Sequence, residues 1–205
     1  MVRAIFVRHG QSTGNAGIPC NDLSLLELTE LGRKQALQVA KSWTESPSLI
    51  VTSPYLRTQQ TAEPTIRRFK SVPVEVWPIQ EFTYLEPSQW NGTSSALRSA
   101  PIQAYWKACD PAYCDGPGAE SFASLLRRTE AALSRLEALP HDALVYIFSH
   151  GQFMQALRST VTDNGTTDKQ KMEIFTHSIG TPAIANAERM FLSRKNGRWC
   201  HGLDA

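Results

Sequence analysis

The sequence predicts an α/β fold: a three-layer αβα sandwich with a mostly parallel central sheet and a lid insertion over residues 81–118. Two observations carry that expectation. Short apolar runs of strand length alternate with longer segments whose apolar residues recur at helical spacing, the order that builds a sheet covered on both faces. In addition, two of the apolar runs end alike, Ile5-Phe6-Val7-Arg8-His9-Gly10 near the start and Leu144-Val145-Tyr146-Ile147-Phe148-Ser149-His150-Gly151 far along the chain. If those strands are neighbours, their exits place two imidazoles together at the end of the sheet where α/β proteins collect ligands.

The first run reads as a parallel strand buried on both faces and turning at Gly10. Asn15-Ala16-Gly17-Ile18-Pro19 follows as a loop over the strand exits. Thr29 offers an N-cap to a helix whose inner face carries Ala36, Leu37, Val39, Ala40 and Trp43. Leu49-Ile50-Val51 is a second buried strand, and Ser53-Pro54 reads as the next helix start, a capping hydroxyl followed by proline at the first helical position. Arg57 then falls in the first turn. Free backbone N–H groups and the helix dipole already make that end positive, so an anion held between them and the guanidinium would resolve the conflict. Pro64 is expected to kink or end this helix. Val72 to Trp77, interrupted and followed by prolines, reads as a strand near an edge.

The insertion, with a short helix expected near Ser95 to Lys107, carries Phe82, Tyr84, Trp90, Tyr105, Trp106 and Tyr113, and a segment this long in a compact domain suits a binding lid. Beyond it, Phe122, Leu125, Leu126, Thr129, Leu133, Leu136 and Leu139 share one face of a helix that stops at Pro140. The strand ending in His150 comes next, then a helix from Gly151 with Phe153, Met154, Leu157 and Val161 inward. A turn at Asn164-Gly165 and a short helix through Phe175 lead to final strands over 183–187 and 189–193, with Lys195-Asn196-Gly197 turning before Trp199.

At 205 residues the chain is expected to form a single domain, 1–205. A net charge of +2 gives no reason to expect a nucleic-acid partner, and the runs Arg67-Arg68 with Lys70 and Arg194-Lys195 with Arg198 read as solvated faces. No apolar run approaches the roughly 20 residues that span a bilayer. The first strand begins almost at Met1, which leaves no room for a signal peptide, so a cytoplasmic protein without a membrane partner is expected. Cys20, Cys109, Cys114 and Cys200 form no C-x-x-C pair and match no zinc spacing, and are read as free thiols. His141, His177 and His201 read as structural or exposed. Oligomeric state is not legible.

Arg8, His9, Arg57 and His150, gathered at the strand exits beside a helix N-terminus, suit a tetrahedral dianion, because guanidinium forks match phosphate oxygens bidentately. Nearby cations disfavour the imidazolium, so at least one histidine is expected to be neutral and able to attack phosphorus. The other can donate a hydrogen bond to the equatorial oxygens. A leaving alkoxide also needs a proton, and the insertion offers Glu81 and Glu86.

These residues resemble the histidine phosphatase, or phosphoglycerate-mutase-like, superfamily over nearly the whole chain. Arg8-His9-Gly10 matches its signature tripeptide and Asn15 its asparagine six residues on. Leu28-Thr29-Glu30-Leu31-Gly32-Arg33-Lys34-Gln35-Ala36 is similar to its helix start. Ser53-Pro54-Tyr55-Leu56-Arg57-Thr58-Gln59-Gln60-Thr61-Ala62 resembles its second-arginine motif, Gly118-Ala119-Glu120-Ser121 its Gly-Glu-Ser segment, and Ser149-His150-Gly151 its second histidine. The resemblance implies that His9 forms a phosphohistidine, that Arg8, Arg57 and His150 hold the phosphoryl oxygens with Asn15 assisting, and that no metal or organic cofactor takes part. Glu81, which follows Ile79-Gln80 as the family's acid follows its strand, is the expected proton donor, and Glu86 is its rival. The chain departs from the family pattern in two places. Trp90-Asn91-Gly92 lies further from Glu81 than the family's tryptophan run lies from its acid, and Asp22-Leu23-Ser24-Leu25 replaces the usual Asp-x-Pro-Leu.

The expected function is therefore a phosphatase acting on small phosphate monoesters. A phosphoglycerate-type phosphomutase is the second reading, disfavoured because the insertion has few cationic residues to hold a second acidic group. A noncatalytic phospho-ligand or protein-binding module is the third, since a fold need not keep its chemistry. Against it stand His9 and a candidate acid in the same chain.

Overall fold

The computed structural model describes residues 1–162, 165–178 and 184–203, without the side chains of Ser95, Ser178 and Leu203. Strands β1 (Arg3–Arg8), β2 (Leu49–Thr52), β3 (Val74–Val76), β4 (Leu144–Ser149), β5 (Arg189–Lys195) and β6 (Arg198–Leu203) form one sheet in the order β3-β2-β4-β1-β5-β6. The first four strands in that order run parallel, and β5 and β6 are antiparallel additions beyond β1. All six residues of β4 are buried, as a parallel strand covered on both faces requires.

Alternate residues of these strands feed two cores. On one face Ala4, Phe6, Val51, Val145 and Ile147 join side chains from α5 (Phe122–Glu137), α6 (Gly151–Thr162) and α7 (Asp168–Ser178). On the other, Val7, Ile50, Leu144, Tyr146 and Phe148 join Val39 from α1 (Glu30–Ser42), Trp43 just beyond it and Ala62 from α2 (Leu56–Arg68). The three expected layers are these. The antiparallel end turns through Asn196 (φ 50°) and Gly197 (φ 78°), the left-handed pair that a two-residue hairpin requires. No helix among the described residues is long and apolar enough to cross a membrane.

Four local expectations change. Helix α2 starts at Leu56, with Tyr55 and not Ser53 at its N-cap and no side-chain cap. Ser53 Oγ still accepts from Tyr55 N–H at 3.1 Å and from Thr58 Oγ1 at 3.2 Å, but its shortest contact is His150 Nε2 at 2.7 Å, a buried partner that holds it at the strand exit. Pro64 does not end α2, which runs on to Arg68. There the Arg68 guanidinium donates to the carbonyls of Ala40 (2.5 Å) and Trp43 (2.9 Å), tying the last turn to the end of α1. Third, 184–187 is not a strand, because Ala187 (φ 64°) donates its N–H to Arg8 O at 3.0 Å and turns the chain against the exit of β1. The remainder of that expected strand, Ala183, lies outside the described residues, as does Asn164 of the expected turn. Fourth, the aromatics of the insertion divide. Phe82, Tyr105 and Trp106 are buried in the larger core, while Tyr113 is exposed. The segment also carries α3 (Pro87–Trp90) and α4 (Ser95–Ala108), the latter close to its expected span.

The exit of β1 is held by a close backbone approach. A Cβ added at Gly32, in the first turn of α1, would lie 2.1 Å from Gln11 O, and one added at Gly10 would lie 2.6 Å from Gly32 O. Only glycine lets α1 sit this close to the turn that follows His9. Gly32→Ala is therefore expected to lower stability in urea denaturation by about 1–3 kcal/mol, the range for forced overpacking. Gly202→Ala, where an added Cβ meets nothing within 4 Å, is the matched control, with an expected change within about 0.5 kcal/mol.

Candidate active site

Parallel pairing of β1 with β4, Arg8 opposite Ser149, puts the two strand exits side by side. His9 donates its backbone N–H to Ser149 O at 3.0 Å, and the rings of His9 and His150 lie edge to face with centroids 5.2 Å apart. His9 is 2% exposed and His150 is fully enclosed.

The tautomer of His9 follows from its neighbours. Nδ1 lies 2.7 Å from Gly10 O, and a carbonyl can only accept, so Nδ1 carries the proton. Nε2 is left as a lone pair, which accepts from Arg57 Nε at 3.1 Å. Burial, then the charge of Arg57, and to a smaller extent that of Arg8, push the His9 pKa down to about 3, against the raising effect of the Gly10 carbonyl. His150 is likewise held well below the usual histidine range, by burial first and then by Arg57 and His9. Its Nε2 meets Ser53 Oγ at 2.7 Å, and its Nδ1 makes no hydrogen bond.

Arg57, buried in the first turn of α2, donates from Nη1 to Leu23 O at 2.6 Å. Desolvation lowers its pKa, an effect opposed by the nearby Glu81 carboxylate. Arg8 donates from Nη1 to Ile184 O at 2.5 Å, and its Nε has no partner. It lies across the start of α6, where a Cβ at Gly151 would come within 3.3 Å of that Nε. Asn15 accepts at Oδ1 from Ser12 N–H (3.2 Å), Ser12 Oγ (3.1 Å) and Asn186 Nδ2 (3.2 Å), so its own amide N–H groups are left for other partners.

Arg8, His9, Asn15, Arg57 and Glu81 line one cavity of about 470 Å³, and His150 stands behind His9 without lining it. The two glutamates separate. Glu81 Oε1 accepts from the backbone N–H groups of Gln152 (3.0 Å) and Phe82 (3.2 Å), which anchors the carboxylate at the positive end of α6 beside the cavity. Glu86 is outside the cavity lining, bonded to Ser88 Oγ and pressed against Gly116.

The chain matches the family model described as histidine phosphatase superfamily (branch 1) over residues 4–195. It belongs to the histidine phosphatase superfamily. Among curated relatives, "Probable phosphoglycerate mutase GpmB" of Yersinia enterocolitica is 30% identical over 180 residues, 78% of this chain and 75% of that protein. Among solved structures, a mycobacterial glucosyl-3-phosphoglycerate phosphatase complexed with VO3 superposes with a TM-score of 0.76 at 25% identity, covering 99% of this chain and 98% of the other. A phosphoserine phosphatase from Entamoeba histolytica shares the fold, with a TM-score of 0.77 at 19% identity over 98% of this chain and 95% of the other. This histidine phosphatase superfamily member is thus related to proteins named for both phosphatase and mutase reactions.

Several site groups escape sequence reasoning. Asn186 Nδ2 reaches both His9 O (3.0 Å) and Asn15 Oδ1. Leu23 O and Ile184 O hold the two guanidiniums, and Ser53 holds His150. Backbone carbonyls leave no mark in a sequence, and Asn186 is one polar residue in a turn.

The His9 pKa also makes a stability prediction. Between the unfolded value of 6.5 and the folded value of about 3, the unfolded chain binds a proton that the folded protein does not. The contribution of this imidazole is full above the unfolded pKa and is lost as pH falls towards the folded one, by about 1.4 kcal/mol per unit. Urea midpoints followed from about pH 7.5 to 5 in phosphate-free buffer should fall, and His9→Gln should fall less steeply. Equal slopes would contradict a buried neutral His9.

Proposed function

We propose that this chain is a phosphomonoesterase that hydrolyses small phosphorylated substrates through a phosphohistidine on His9. The observation that carries the reading is the fixed state of the His9 ring, neutral, with Nδ1–H bound to Gly10 O and the Nε2 lone pair directed to Arg57 in the cavity.

In the first step the Nε2–P bond forms as the ester P–O bond breaks, and Glu81 gives its proton to the departing alkoxide. The positive charge that appears on the His9 ring is drawn off through Nδ1–H to the Gly10 carbonyl. Arg8, Arg57 and Asn15 hold the phosphoryl oxygens, and His150, whose Nδ1 is without a protein partner, supplies a further hydrogen bond as charge spreads over them. In the second step water attacks phosphorus, Glu81 takes its proton, and the N–P bond breaks to release phosphate. Glu81 is preferred to Glu86 because it shares the cavity with His9.

In this reading residues 1–205 are one domain with 81–118 as its lid, and four thiols in no disulfide suit a reducing compartment such as the cytoplasm. A phosphomutase is the second reading, favoured by the likeness to the Yersinia protein. Turnover of 3-phosphoglycerate that requires a bisphosphate primer and releases no phosphate would select it.

Two measurements test the mechanism. Brief incubation with a phosphate ester should leave acid-labile, alkali-stable phosphate on the protein, and His9→Ala should lose both the label and turnover; turnover surviving in that variant would reject the nucleophile. Glu81→Gln should slow alkyl esters by about 10²–10⁴-fold, the usual worth of a general acid, and nitrophenyl phosphate far less, since its leaving group needs no proton. If Glu86→Gln gave that pattern instead, the assignment of the acid would be reversed.

A further inference from the structure

The cavity is larger than a phosphoryl group requires and has the volume of sites that enclose a whole small molecule. Among the described residues, four charged side chains line it: Arg8, Arg57, Glu81 and Arg98. Three are guanidiniums and one is a carboxylate. Arg8 and Arg57 lie around His9. Arg98 belongs to α4, in the segment that also carries Glu81, Tyr84 and Trp90.

Arg98 has no carboxylate partner among the described residues. Its Nη1 donates to the carbonyl and hydroxyl of Thr93, both uncharged. Arg128, similarly half-buried, pairs through Nε and Nη2 with both oxygens of Glu120, at 2.6 Å each. The first turn of α4, capped by the Ser94 hydroxyl, contains no acidic residue, so Arg98 sits close to a helix start that carries no negative charge. Trp90 lines the same cavity, with its indole N–H buried and without a partner among the described residues. The lining also holds the apolar groups of Phe82, Tyr84, Leu85 and Ile102.

We propose that the leaving part of the substrate carries an anionic group, a carboxylate or a second phosphate, which Arg98 receives in the same cavity that holds the phosphoryl group. The proposal rests on the phosphomonoesterase reading and assigns its substrate class. Arg98 is then a specificity-determining residue, remote from the reacting atoms.

The test uses matched esters that differ in one group: 3-carboxypropyl phosphate, its carboxamide, butyl phosphate and butane-1,4-diyl bisphosphate. The wild-type protein should prefer an anionic ester to the carboxamide by at least tenfold in kcat/KM, mostly through KM, and whichever of the carboxylate and bisphosphate is preferred identifies the anion. Arg98→Gln should reduce that ratio by at least tenfold, Arg98→Lys should restore part of it, and added salt should erode it. An absent wild-type preference, or an Arg98→Gln loss equal for charged and neutral esters, would overturn the inference and leave the phosphatase reading intact. If Arg98→Gln fails to fold, the wild-type carboxylate-to-carboxamide ratio decides alone. If no ester is hydrolysed and His9 takes no label, the underlying reading fails and this inference with it.

Discussion

The register of β1 against β4 is the constraint from which the rest of the site descends. Because Arg8 pairs with Ser149, the next residue on each strand is a histidine leaving the sheet at the same level, and the two rings meet edge to face. In a parallel pair this alignment has to be maintained across more than a hundred residues of intervening chain, so no local turn can set it. It is set by the buried alternation of both strands, since a slip of one residue would exchange the faces that pack on α5 and α6 with those that pack on α1 and α2. The hydrophobic core therefore positions His9, and the close approach of Gly10 and Gly32 fixes the turn that follows it.

The same burial sets the chemistry. An imidazole in water is a poor match for a phosphate dianion flanked by guanidiniums, because near neutral pH part of it is protonated and unreactive. Enclosure at the sheet end removes that fraction: desolvation is the largest influence on both His9 and His150, and the charge of Arg57 adds to it in each. The energetic cost appears as acid sensitivity of the fold. What the site gains is a ring held in one tautomer by a carbonyl, so in the proposed mechanism its lone pair needs no reorganisation before attack.

Much of this was legible in the sequence, for identifiable reasons. Strand runs such as Leu144–Ser149 are apolar throughout, and the repeated His-Gly at their exits pointed to both histidines, because periodicity and strand ends are local properties. Helix α2 was misjudged at its start for a reason that is not local: Ser53 has the composition of a cap, but its hydroxyl also holds an imidazole 97 residues away. The turn at 184–187 was read as strand from composition, whereas its hydrogen bonds run to Arg8 and His9. Residue type alone does not separate Glu81 from Glu86, and the preference for Glu81 rests on its place after Ile79-Gln80 in the resemblance. The structure adds that Glu81 lines the cavity, its carboxylate held there by the Gln152 N–H, and that Glu86 does not. Arg98 is one of the few cations in the insertion, and the sequence does not mark it, since a helix without a strong apolar stripe does not show which way it turns its residues.

The two ends of the cavity are built differently, and that difference bears on how such a fold changes substrate. At one end, strand exits and helix starts locked into the sheet hold Arg8, His9, Arg57 and His150, and moving any of them disturbs the core. At the other, the segment 81–118 contributes Tyr84, Trp90 and Arg98 from short helices and irregular chain, while its Phe82, Tyr105 and Trp106 anchor it in the larger core. Side chains on the cavity side of that segment can be exchanged without touching either the register of β1 and β4 or the ring state of His9. A division of this kind is consistent with relatives that share the fold at 19–30% identity yet carry the names of a phosphoserine phosphatase, a glucosyl-3-phosphoglycerate phosphatase and a phosphoglycerate mutase. On the proposed reading, the substrate of this chain is to be sought through the few polar groups its insertion contributes to the cavity, where Arg98, without a carboxylate partner among the described residues, sets the sign of the charge to look for.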